Sequence, residues 1–109
     1  MKTIRITVPK EGKKWKFSKG AGALYRNSPT VLYNAVERYL LSSLASRSKD
    51  KIKVFVDYRQ VGGFHNEGVY DNVSEALYVL ACFLEDYLSS SFALSKYKKY
   101  YPKFTGEKY

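Results

Sequence analysis

Lys51-Ile-Lys-Val-Phe-Val-Asp-Tyr58 alternates without a break. Ile52, Val54, Val56 and Tyr58 fall on one side, and Lys51, Lys53, Phe55 and Asp57 on the other. A period of two with β-branched residues predicts an amphipathic strand. Such a strand belongs to a sheet with one covered face and one wetter face.

Toward the N-terminus, Leu32, Val36, Leu40 and Leu44 recur every four residues, with Ala35 and Tyr39 beside them and Glu37, Arg38, Ser42 and Ser43 facing away. That spacing predicts a helix from Ser28-Pro29 to about Arg47, with Ser28 as cap and Pro29 in the first turn. Further back, Ile4, Ile6 and Val8 alternate with Thr3, Arg5 and Thr7, so Thr3–Val8 reads as a strand. Trp15 and Phe17 alternate with Lys14, Lys16 and Ser18, which permits a short strand paired back as a hairpin. Ser18–Ala23, holding Gly20 and Gly22, reads as a flexible loop. It lacks the G-x-x-x-x-G-K-[ST] spacing of a phosphate loop.

Toward the C-terminus, Ser46–Asp50 reads as a polar turn and Gly62-Gly63 as a tight hairpin turn, with Phe64–Tyr70 returning as a strand. Asn72 and Glu75 fit a capping box. The following helix, Val73–Leu88, is apolar on nearly every side and must be buried. After Ser89-Ser90-Ser91 comes a short helix or tail rich in Lys and Tyr. The order is β-(β)-α-β-β-α-tail. It predicts an α+β fold, a small antiparallel or mixed sheet of three to four strands with two main helices on one face. One domain over residues 1–109 is expected at this length.

Composition narrows the class. The 109 residues are 45% apolar and 17% aromatic, so the chain has material for a core without metal or disulfide help. The single cysteine, Cys82, sits in an apolar run and reads as core. The longest apolar run, Val79–Leu84, is far short of a bilayer span, and the N-terminus shows no signal-peptide pattern. A cytoplasmic protein without a membrane partner is the expectation.

The net charge of +9 is segregated. Residues 1–26 hold eight Lys/Arg against Glu11, and residues 94–109 hold five Lys against Glu107, while the middle holds six basic and eight acidic side chains. The N-terminal basic segment, 10–26, interleaves its cations with Trp15, Phe17 and Tyr25. The C-terminal one, 94–109, interleaves them with Tyr97, Tyr100, Tyr101, Phe104 and Tyr109. Cations beside flat rings suit a polyanion: lysines neutralise phosphates and rings stack on bases. Most of the cations are lysine, a point charge that favours backbone contact over base reading. The open sheet face adds Arg5, Lys53 and Phe55, with Arg59 near its end.

The expected function is therefore a small, non-enzymatic nucleic-acid-binding protein, contacting DNA or RNA mainly through phosphates. The candidate contacts are Arg5, Lys13, Lys14, Trp15, Lys16, Lys19, Lys53, Phe55, Lys96, Lys98, Lys99 and Tyr100. No catalytic residue, metal or cofactor is assigned. An alternative is an interaction module or inhibitor, of the kind phages and other mobile elements carry, docking on an acidic protein or a nucleoprotein complex. A third is a metal-dependent nuclease around Asp57, His65 and Glu67, since acids beside a histidine are the ligands a hydrolytic metal needs. The all-round apolar second helix also suggests a homodimer that would hide its surplus face.

Overall fold

The computed structural model of the chain describes residues 2–10, 12–19, 22–42, 51–59 and 64–100. The Gly62-Gly63 turn, the helix end at Leu44–Arg47, the turn at Ser46–Asp50 and the segment 101–109 lie outside the described residues, as does the side chain of His65.

Five strands and three helices follow one another: β1 (Lys2–Val8), β2 (Trp15–Ser18), β3 (Ala23–Arg26), α1 (Pro29–Ser42), β4 (Ile52–Tyr58), β5 (Phe64–Tyr70), α2 (Val73–Leu84) and α3 (Ser90–Tyr100). The strands form one mixed sheet in the order β3-β2-β1-β4-β5. The first three make an antiparallel meander. Helix α1 then carries the chain back over one face, and β4 enters parallel to β1, with Ile4 opposite Val54 and Ile6 opposite Val56. β5 pairs antiparallel with β4 at the far edge. The fold is α+β, with a fifth strand at Ala23–Arg26, beyond the Ser18–Ala23 loop, and with the short helix of the helix-or-tail reading present as α3.

The alternation settles which face is covered. Ile4, Ile6, Val8, Trp15, Phe17, Ile52, Val54 and Val56 are buried beneath the helices. Ser28 Oγ accepts from the Val31 N–H at 3.2 Å and starts α1, whose Leu32, Tyr33, Val36 and Leu40 enter the core. Asn72 Oδ1 accepts from the Glu75 N–H at 2.8 Å and starts α2. This helix ends at Leu84, not Leu88; Tyr87 and Leu88 continue as a turn donating to the Leu84 carbonyl.

α3 accounts for part of the apolar surplus of α2. Its Ala93, Lys96, Tyr97 and Tyr100 share one face at helical spacing. Tyr97 donates to the Ala81 carbonyl of α2 at 3.3 Å and stacks edge-on against Tyr78. Phe92 packs edge-on against Tyr33 of α1, and Tyr33 donates to the Leu77 carbonyl at 3.0 Å. The sheet, α1 and α3 of the same chain thus pack around α2 and cover part of its apolar surplus, while Tyr78, Val79, Cys82 and Phe83 stay half-buried. Among the described residues no helix is long and apolar enough to cross a membrane.

Candidate nucleic-acid interface

The β1–β2 connection is a short turn dictated by its residues. Pro9 ends β1 because it has no N–H for the ladder. Gly12 then takes a φ of +86°, a left-handed conformation that glycine adopts without a Cβ clash, and the Lys13 N–H closes back on the Lys10 carbonyl at 3.1 Å. Lys10, Lys13 and Lys14 consequently stand exposed on one short turn.

Two neighbours complete a groove. Lys16 lies on the open sheet face opposite Tyr25 of the edge strand β3, its ammonium 6.0 Å from the ring centroid. Arg59 follows the end of β4, which runs parallel beside β1 so that Tyr58 pairs with Val8. The result is a concavity of about 300 Å³ lined by Lys10, Lys13, Lys14, Lys16, Arg59 and Tyr25, with Thr7 and Pro9 at its base. No acidic side chain lines it among the described residues. A second depression of about 370 Å³ on the same turn shares Lys10, Lys13 and Lys14 and adds Asn27.

The remainder of the open face is different. Arg5 donates to Asp57 at 2.8 Å. Lys53 pairs with Glu67 at 3.3 Å, and Lys51 with Asp71 at 3.2 Å. The ring of Phe55 lies 4.5 Å from the Arg5 guanidinium and 5.0 Å from the Lys53 ammonium. This half of the sheet is a lattice of matched charges around an aromatic, and its local field is close to neutral. The open face is thus divided: balanced at one end, strongly positive at the other.

The other sequence candidates scatter. Trp15 is 7% exposed and packs edge-on against Tyr87, so it offers no ring to a base; it lies on the covered face of β2 by the alternation that frees Lys14 and Lys16. Lys19 sits at the far end of β2, 5.1 Å from the Tyr39 ring of α1. Tyr100 is 3% exposed and donates to Glu37, and Lys96 is bound to the same carboxylate. Lys99 reaches Glu37 at 3.3 Å from a more exposed position, and Lys98 faces solvent. Glu37 therefore does not face solvent, as the helical spacing had implied, because α3 packs there.

Tyr25, Lys10 and Arg59 join the groove although none was in the final set of candidate contacts. Lys10 and Tyr25 belong to the basic segment 10–26 and Arg59 to the end of the open face, but only strand pairing brings the three together. The acids of the metal reading do share the open face, with Asp57 opposite His65 and Glu67 opposite Phe55. Each carboxylate holds a cation, however, and no three His, Cys, Asp or Glu side chains come together among the described residues. No family model, curated protein or solved structure matches the chain.

Proposed function

We propose that the protein binds nucleic acid through phosphate contacts made by the groove at the β1–β2 turn. The observation that carries this reading is five cations, Lys10, Lys13, Lys14, Lys16 and Arg59, gathered around an exposed aromatic with no acidic side chain among the described lining. On the other half of the open face Arg5, Lys51 and Lys53 each hold a carboxylate. Unmatched positive charge in a concavity concentrates an anion, and a polyanion gains further by releasing its counterions. The contacts are to phosphate and carry no sequence preference.

The test is binding to unrelated DNA and RNA sequences across a salt series. Five phosphate contacts give a slope of log K against log salt of roughly −4.5 for duplex and −3.5 for single strands. Poly-glutamate is the control for docking on an acidic protein. Retention of poly-glutamate with no salt-dependent binding to any nucleic acid would overturn this reading in favour of a protein partner.

A further inference from the structure

We infer that the groove takes single-stranded rather than duplex nucleic acid, and that Tyr25 is the residue on which one base stacks. This rests on the nucleic-acid reading above and names the form of its ligand.

Tyr25 is 54% exposed, the one aromatic among the large apolar side chains left exposed in the described residues. Its strand contributes little burial to justify the residue: β3 is an edge, and its side chains alternate between exposed and half-buried. The ring nevertheless lies where the five cations converge. A ring surrounded by phosphate-binding groups has a use only if the ligand brings a free π-face. Duplex bases stack on one another and offer none, whereas a single strand presents its bases outward from the backbone.

Shape agrees with this. The cations line an open concavity of about 300 Å³, the small end of the range for ligand pockets and of a size to seat one nucleotide. Reading a duplex from its grooves calls for a projecting helix or ribbon whose side chains reach base edges with paired donors and acceptors. This turn presents lysine ammonium groups, which neutralise charge but fix no base. Phe55, the other aromatic of the open face, does not line the groove and lies between Arg5 and Lys53, so the groove offers a single stacking position. A short, sequence-tolerant contact follows.

The experiment compares an oligothymidylate with a duplex of the same length, using wild type, Tyr25→Ala, Tyr25→Phe and Lys13→Ala/Lys14→Ala. Tyr25 is exposed, and thermal melts matched to wild type are the check that its variants fold. The single strand is expected to bind at least about tenfold tighter than the duplex at equal salt. Tyr25→Ala is expected to weaken single-strand binding about 5- to 150-fold, as loss of one stacked base does, without changing the salt slope. Tyr25→Phe retains the ring and is expected to restore binding. The double lysine variant weakens both ligands. A duplex bound as tightly as the single strand, or a Tyr25→Ala variant that affects both alike or neither, overturns the single-strand inference while leaving phosphate binding standing. If neither polymer binds in a salt-dependent way, the nucleic-acid reading falls and this inference with it.

Discussion

Lys96 donates from one ammonium to both carboxylate oxygens of Glu37, at 2.9 and 3.0 Å, and so ties α3 to α1. The two side chains are only 13% and 12% exposed. Tyr100 donates to the same carboxylate, and Lys99 approaches it at 3.3 Å. Burial pushes the Glu37 carboxyl up, but the hydrogen bonds from Tyr100 and Lys96 and the charges of Lys96 and Lys99 outweigh it and hold the pKa below its ordinary 4.5.

Removing this carboxylate leaves a largely buried ammonium unpaired. Glu37→Ala is expected to cost about 2–4 kcal/mol in urea denaturation at neutral pH, somewhat below the range for a fully buried pair because the site keeps some solvent access. The pH dependence follows in sign. A carboxyl whose folded pKa is depressed contributes stability above its unfolded pKa and loses it as pH falls through the folded value. The stability curves of wild type and variant should therefore converge in acid, below about pH 4.5. Parallel curves would show that the carboxylate carries no such linkage.

The packing of the sheet, α1 and α3 around α2 predicts a large cavity cost. Leu80 is 1% exposed. Leu80→Ala should lose about 2–5 kcal/mol through lost burial and residual cavity, and a loss under about 1 kcal/mol would contradict its placement. Tyr33→Phe should lose about 1 kcal/mol, since it removes the bond to the Leu77 carbonyl and keeps the ring packing. Burial, then the nearby Tyr100 and Glu37, push the Tyr33 hydroxyl well above its ordinary 10.0. A raised pKa means stability that is present below pH 10 and lost as pH rises beyond it, so wild type should lose more stability than Tyr33→Phe in strong alkali.

Charge removal should act by location rather than by number. Lys13→Ala/Lys14→Ala is expected to flatten log K against log salt by roughly 1.4 on single strands, about 0.7 per lost phosphate contact. Lys98→Ala/Lys99→Ala removes as much charge from α3 and should leave the slope nearly unchanged. Arg5→Ala and Lys53→Ala should also leave it unchanged, because both cations already hold carboxylates. A slope that falls equally for both double variants would mean that binding follows total charge and not the groove.

Gly12 shapes the turn that carries three of the five cations. No atom lies within 4 Å of where its Cβ would stand, so the cost of Gly12→Ala is backbone strain alone, about 1–2 kcal/mol at its φ of +86°. Thermal denaturation should show that loss. Nucleic-acid binding should weaken as well, because the relaxed turn no longer gathers Lys10, Lys13 and Lys14.

The chain's own pattern determined most of the secondary structure. Alternation in Lys51–Tyr58 and Thr3–Val8 marked the two central strands, and four-residue recurrence marked α1, because both periods are local consequences of burying one face. Asn72 and Ser28 marked helix starts through side-chain bonds three residues long. Strand β3 escaped because a four-residue edge strand buries too little to write a pattern. The charge clusters were also plain in the sequence, but their roles were not. Whether a lysine meets solvent or a carboxylate depends on partners far along the chain. Lys96 finds Glu37 across 59 residues, and Arg5 finds Asp57 across 52. Burial of Trp15 and Tyr100, and the placing of Tyr25 and Arg59 around one groove, are likewise products of packing. Tertiary structure alone decided which cations have no carboxylate partner among the described residues, because charge neutralisation acts through space and leaves no period in the sequence.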